Sequence, residues 1–383
     1  MWQTFLITLT LVFWSNPGFM SLAGALQAAA NSQQSGDLVV PLEGLDPVML
    51  TRGKEVQGDE QFAVKRGVFR YLFAGAETKA AFEREPRRYE IQLGGTCARM
   101  GPTVQGNPDL FAVHEGLIYI FGSPACQTAF KSSPANYLEP AAAMTTTTAA
   151  ASEESRRRGR ALIERAVEAS GGAARVDGLL SYEERGTVGA RTPQGVTEIK
   201  TALLMRYPDK IRMERTLSFG TIATVVTPEG GFVLLPRGSS ELSEVQRAAY
   251  LKQLQISPLA ILRARREAGF SAVTSGAGKV GETAVEQVEV SGGGVSATLG
   301  IAPDTGRVLS LTYRGRGDGG MYGRIVRTFS DFRAVGGLTL PFKAAGTFNG
   351  AIEPSQTSTV ESIVVNGDLS PSLFERPKPA GGQ

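Results

Sequence analysis

The side chains able to do soft-ligand or nucleophilic chemistry are few. Cys97 and Cys126 are the only cysteines, and the only histidine, His114, lies between them. Three outcomes are open to this set. In an oxidising compartment an even pair of thiols is a natural disulfide. Its loop, closed across 29 positions, would stabilise the fold by about 3 kcal/mol where the geometry fits. Alternatively, Cys97, His114 and Cys126 together would form a Cys/Cys/His site suited to copper(I) or zinc. Left unpaired, both thiols would be plain core residues.

The elements that must position these groups are written twice. Residues 62–89 read FAVKRGVFRYLFAGAETKAAFEREPRRY and residues 111–137 read FAVHEGLIYIFGSPACQTAFKSSPANY. With one residue dropped, Phe73, Phe82, Pro86 and Tyr89 meet Phe121, Phe130, Pro134 and Tyr137 at a constant offset of 48. Regularity of this kind marks a duplicated supersecondary unit. Alternation around Tyr71 and Phe73, and around Ile118 and Ile120, predicts a strand, followed by a turn and a helix of about two turns that ends before proline. In the second copy Ser123 can cap the helix and Pro124 suits its first turn. Cys126 then falls in the first helical turn, where free amides and the helix dipole favour a thiolate. His114 aligns with Lys65 in an exposed turn between strands, a place that suits solvation.

The run from Leu45 to Tyr137 resembles a YHS domain. The matching pieces are GLDPVML with GKEVQGDEQFAV, YLFAGAETKAAFEREPRRY, GGTCARMG and YIFGSPACQTAFKSSPANY. Cys126 and Phe130 match the later positions of the family signature, whereas Gly122 stands where its first cysteine would be.

Length and composition bound the rest. A chain of 383 residues exceeds what one hydrophobic core usually serves, so more than one domain is expected. A net charge of +3, with no Lys/Arg stripe carrying interleaved aromatics, sets nucleic-acid binding aside. Residues 1–30 read as an export signal. FLITLTLVFW is a compact apolar run, and Ala28, Ala29 and Ala30 offer a small-residue cleavage site, although no Lys or Arg precedes Arg52. An uncleaved anchor is the alternative, but the run is shorter than the roughly 20 residues of a spanning helix. The expected location is therefore the periplasm.

Four segments follow: a signal over 1–30, a YHS-like domain with internal duplication over 31–140, a linker over 141–156, and a second domain over 157–377. The linker AAAMTTTTAAASEESRRRGR has no core periodicity and runs into a helix. Its cluster Arg156, Arg157, Arg158 and Arg160 is expected to be a solvated helix end, with contact to anionic lipid headgroups of an inner- or outer-membrane surface as the alternative. In RALIERAVEASGG, Leu162, Ile163, Ala166 and Val167 share a face, and Gly171 and Gly172 end the helix. The apolar period then changes to two. LLSYEERGTVGA, VTEIKTALLMRY, KIRMERTLS, TIATVVTP and GGFVLLP form one series, and AVEQVEV, VSATLGIA, RVLSLTYRG, GRIVRTFSDFR, LTLPFKAAGTF and STVESIVV a second. Between them SSELSEVQRAAYLKQLQ and the stretch through Ile261 and Leu262 predict two helices broken at Ser257 and Pro258. The fold class is α+β.

An antiparallel sheet of about ten strands tends to curl, and one curled around helices encloses an apolar space. Residues 157–377 resemble the LolA-like lipoprotein carrier fold, an unclosed half-barrel with helices in its mouth. The resemblance rests on ASGGAARVDGLLSYEERGTV, FSDFRAVGGLTLPFKAAGTF and VESIVVNGDLSPSLFERP. It implies noncovalent binding of a lipid, an acyl chain or a lipidated protein.

Motifs of catalysis fail on context. Gly276, Gly278 and Gly281 spell G-x-G-x-x-G but lead into a strand, Val280 stands where a P-loop needs Ser or Thr, and no G-x-S-x-G accompanies the one histidine. Arg316, Gly317 and Asp318 form an RGD triplet explained by turn chemistry. Glu183 and Glu184 are adjacent on a strand and face opposite ways. The chain reads as a binding protein and not an enzyme, with a metal or thiol module in its first domain as the second reading.

Overall fold

A computed structural model describes residues 38–139 and 151–376, apart from Pro193 and Gly293. The export signal and most of the linker lie outside the described residues. The first region holds α1 (Pro47–Thr51), β1 (Asp59–Arg66), β2 (Phe69–Phe73), α2 (Ala76–Arg84), α3 (Pro86–Tyr89), β3 (Thr96–Cys97), β4 (Gly101–Gln105), β5 (Asn107–His114), β6 (Leu117–Phe121) and α4 (Pro124–Ser132). Each half is a hairpin followed by a helix, with one more strand than the alternation alone predicts. Gly67 and Gly116 turn the two hairpins with positive φ (60° and 73°), a conformation that costs glycine little. The first hairpin forms its own two-stranded sheet, and the second joins a four-stranded sheet in the order β4-β3-β6-β5.

The aromatic rings sit alike in the two halves. Phe73 and Phe82 are 5.1 Å apart, as are Phe121 and Phe130, while Tyr71–Phe82 and Tyr119–Phe130 are 5.1 and 5.3 Å apart. Buried Asp46 fastens the first half. Its carboxylate accepts from the amides of Val48 (2.8 Å), Met49 (3.1 Å) and Ala74 (2.7 Å), capping α1 and holding it to the end of β2.

The second region opens with α5 (Glu153–Ala169) and α6 (Ala173–Asp177). Helix α5 begins earlier than its apolar period implies, because Ser152 caps it by accepting from the Ser155 amide. Its basic cluster is partly neutralised at the surface: Arg158 meets Glu286 at 2.6 Å and Arg160 meets Glu153 at 3.5 Å. Strands β7 (Ser181–Thr192), β8 (Gly195–Arg206), β9 (Lys210–Leu217), β10 (Gly220–Thr227), β11 (Gly230–Leu234) and β12 (Ser239–Glu241) form one meander. Helices α7 (Glu244–Gln255) and α8 (Pro258–Ala264) follow. A second meander runs through β13 (Ser271–Val280), β14 (Thr283–Gly292), β15 (Val295–Ile301), β16 (Val308–Arg316), β17 (Tyr322–Val335) and β18 (Leu338–Phe348), with a short β19 (Ala351–Ile352) beside it.

The last strand, β20 (Ser358–Val365), joins the two meanders by pairing with β7 on one side and β18 on the other. The result is a 14-stranded sheet in the order β12-β11-β10-β9-β8-β7-β20-β18-β17-β16-β15-β14-β13, with β19 off the path. Strands β12 and β13 are its two edges, and the chain passes from one to the other through α7 and α8. Those helices must therefore cross a face of the sheet. That face is shared by residues from both meanders, including Tyr182, Leu299, Leu311, Phe329 and Leu340, which pack in one cluster with α5, α6 and α8. Strand β18 shows the alternation behind this, with Leu338, Leu340, Phe342 and Ala344 buried and Lys343 and Ala345 exposed. The opposite face at β8, β10 and β11 is covered by Leu369 and Phe374 of the C-terminal segment.

The two regions are joined at a tight contact. The Arg316 guanidinium donates to the carbonyls of Arg99 (3.0 Å), Ala98 (3.4 Å) and Gly320 (2.8 Å) and stacks on Tyr322. The RGD triplet thus has a structural role larger than a turn. Lys252 of α7 reaches Glu139 at 3.2 Å. Among the described residues no helix is long and apolar enough to cross a membrane.

Candidate functional site

Between the inner face of the sheet and α7–α8 lies a cavity of about 370 Å³, within the roughly 300–1,000 Å³ of small-molecule sites. Its roof is set by local signals. Ser243 and Gln246 form a reciprocal capping box at the start of α7, and Ser257 caps α8 by accepting from the Ala260 amide. Pro258 occupies the first turn of α8. Arg263 anchors α8 by donating to the carbonyls of Val176 and Leu179, both at 2.9 Å, and by stacking 4.1 Å above Tyr207. Arg265 grips both carboxylate oxygens of Asp177 at 2.6 and 2.9 Å. That arginine holds the Asp177 carboxyl below its ordinary pKa. Four hydrogen bonds from two arginines thus tie α8 to α6 and the residues after it, while Arg247 of α7 donates to the Pro228 carbonyl at 2.8 Å.

The lining is apolar in the middle and polar at each end. Leu259, Leu262, Phe329, Ala344 and Val360 supply the apolar lining, and Leu203 pairs with Glu184 across β7 and β8. Phe329, Ala344, Ser358 and Val188 stand on one rung across β17, β18, β20 and β7. Glu184 lies four residues along β7 from Val188, about 13 Å away at the strand rise. There Tyr182 donates a short hydrogen bond to the Glu184 carboxylate, and burial raises the Tyr182 hydroxyl far above its ordinary pKa. Arg327 lies on the other side of that rung, two residues before Phe329. At that end Tyr313 donates to Gln356 at 3.1 Å, and Arg327 donates to Ser358 at 3.4 Å and stacks 5.6 Å from Phe329.

Sequence reasoning assigned no residue to this cavity. One signal was available: in GRIVRTFSDFR, Ile325, Arg327 and Phe329 share the phase of one strand face, and Ile325 and Phe329 are buried. An arginine in that phase marks a charge set among core positions.

The three groups singled out for soft chemistry do not all meet. Cys97 and Cys126 do: both are buried, both thiols are free, and their side chains hydrogen-bond to each other. Cys126 occupies the first turn of α4 as expected, with its amide donating to Ser123 at 3.3 Å. The hydrogen bond from Cys97 lowers the Cys126 pKa, assisted by Ser123 and by Arg99, whose guanidinium is 3.8 Å from the sulfur. The same pairing, together with burial, raises the Cys97 thiol. His114 stands apart at the end of β5, packed edge-on to Phe130 and 3.9 Å from Glu115. Among the described residues no group of three or more His, Cys, Asp or Glu is placed to hold a metal ion. Two thiols fall short of the three protein ligands of even an open zinc site, and Arg99 already sets a positive charge against Cys126. The residues present do not fit zinc.

No protein-family model matches the chain, and no curated protein matches it. Solved structures do. The chain is similar to a DUF1329 family protein from Desulfovibrio piger (12% identity, TM-score 0.38) and to a LolA superfamily protein from Nitrosomonas europaea (14% identity, TM-score 0.39). Each match covers 57% of this chain and 97% of the other. Likenesses at this level fix neither family nor ligand.

Proposed function

We propose that the chain is an exported, periplasmic binding protein that holds a lipid, an acyl chain or the acylated end of a lipoprotein in the half-barrel, with no chemistry done on the ligand. One observation carries this reading: the space under α7–α8 is hollow, apolar through its middle, and roofed by helices that the edge-to-edge connection forces across the sheet. Each buried methylene of a guest would contribute about 0.8 kcal/mol. A membrane surface is the natural source of such a guest. The test is uptake of a fluorescent fatty acid by the purified protein, together with mass spectrometry of its solvent extract. Ala344, on the cavity floor, accepts a larger side chain only at the guest's expense. Ala344→Phe is expected to weaken uptake at least tenfold and leave the melting temperature within a few degrees. No uptake by the unaltered protein, or undiminished uptake by the variant, would overturn the reading.

A second reading is favoured by the meeting of Cys97 and Cys126, which suits the YHS-like region to thiol redox or sensing. The pair can exchange with an incoming disulfide: the sulfur–sulfur bond forms between Cys97 and Cys126 as the incoming disulfide is reduced to two thiols. The lowered Cys126 pKa supplies the attacking thiolate. Of copper and zinc, copper(I) is the metal whose preference for thiolates suits a pair.

A further inference from the structure

Arg327 is the cation set within the floor of the cavity, and it lacks a counter-ion. Its Nε is buried without a hydrogen-bond partner, its guanidinium donates only a long hydrogen bond, to Ser358, and no ion pair forms to it among the described residues. Its polar neighbours Tyr313, Gln356 and Ser358 are all neutral. The carboxylate of Glu184 is at the far end, engaged by Tyr182. The Arg327 side chain as a whole is half-buried, so it keeps some water, but a guanidinium with a buried, unsatisfied N–H is short of an acceptor on the cavity side. The other cations of the lining, Arg215, Arg307 and Lys343, are exposed, and its other carboxylate, Glu214, is engaged by Arg212 at 2.6 Å, so none of these neutralises Arg327.

We propose that the missing counter-ion is the ligand's own head: the cavity selects an anionic amphiphile, a fatty carboxylate or the phosphate of a phospholipid, with its anion at Arg327 and its chain running past Phe329 and Val360 toward Leu203. This rests on the cavity holding an amphiphile at all, and it adds the charge and the direction. A guanidinium matches a carboxylate or phosphate in two parallel hydrogen bonds, stronger than bonds to a neutral hydroxyl.

The experiment is calorimetric titration of the full chain with oleate, with oleyl alcohol and with inorganic phosphate, for the unaltered protein, Arg327→Met and Arg327→Lys. Oleate is expected to bind about tenfold or more tightly than the alcohol. Arg327→Met should abolish that preference and leave the alcohol unaffected, while Arg327→Lys should keep most of it. Phosphate alone should bind far more weakly than oleate. Equal binding of oleate and alcohol, an unchanged preference in Arg327→Met, or phosphate as tight as oleate would each overturn the inference and leave a neutral-lipid carrier standing. Failure of oleate, the alcohol and dioleoyl phosphatidylglycerol all to bind would overturn the carrier reading with it. Dioleoyl phosphatidylglycerol bound with oleate excluded would assign the anion to phosphate; oleate bound with that lipid excluded would assign it to carboxylate.

Discussion

Lowering the pH from 8 to 5 should strengthen the fold through one carboxyl, Glu353. It is 6% exposed, it hydrogen-bonds the Asp318 carboxyl, and its nearest cation is Arg191, 4.0 Å away. Burial, then the Asp318 neighbour, raises its pKa from 4.5 to about 7. A raised carboxyl holds its proton in the folded state over a range where the unfolded chain has lost it. Its contribution is complete below about pH 4.5 and is lost as the pH rises through about 7, at about 1.4 kcal/mol per pH unit. The whole effect is about 3 kcal/mol, an upper figure because Asp318 retains some solvent. Glu353→Gln keeps a donor for Asp318 and has no proton to lose. In urea unfolding at pH 5, 6, 7 and 8, the variant should match the unaltered protein at pH 5 and exceed it by 1–3 kcal/mol at pH 8, an order-of-magnitude range. A stability difference that is constant across these pH values would refute the reasoning, since only titration of this carboxyl makes it vary.

Two further outcomes are expected. Arg316→Met removes one donor shared by the Ala98, Arg99 and Gly320 carbonyls, so it should cost about 2–4 kcal/mol and split urea unfolding into two steps as the first region comes loose; a single transition shifted by under about 0.5 kcal/mol would show that the contact is incidental. Treatment with a small-molecule disulfide should bridge Cys97 and Cys126 and lower the intact mass by two hydrogens, with Cys126→Ser blocking the change. Thiols that both stay free under sustained oxidation would leave the pair a packing feature.

Much of the sheet was legible because its strands have one wet face. LTLPFKAAGTF alternates cleanly, and alternation is what burial on one side writes into a chain; in VTEIKTALLMRY the run from Ala202 to Met205 is apolar throughout because both faces of β8 are covered there. Strand β13 escaped because SAVTSGAGKV is rich in small residues and carries the failed glycine motif, so little apolar period remains. Strand order was not legible either: β20 sits between β7 and β18, a placement set by pairing across more than a hundred residues. Cys126 at the head of α4 followed from Ser123 and Pro124. Its meeting with Cys97 depends on the parallel pairing of Cys97 with Ile120, which no local pattern announces. The partners of Arg316 are likewise carbonyls, and carbonyls leave no mark on side-chain identity.

The two rims of the sheet carry a last consequence. An unpaired strand edge is a template on which other chains can stack. Here β12 offers three residues, too few for lasting pairing, and β13 is met by the backbone of α5 at Gly159, where even a methyl group would come within 2.6 Å of the Ala272 carbonyl. A ribbon this wide is therefore blunted at both margins, and offers little free edge on which copies of itself could stack into fibres.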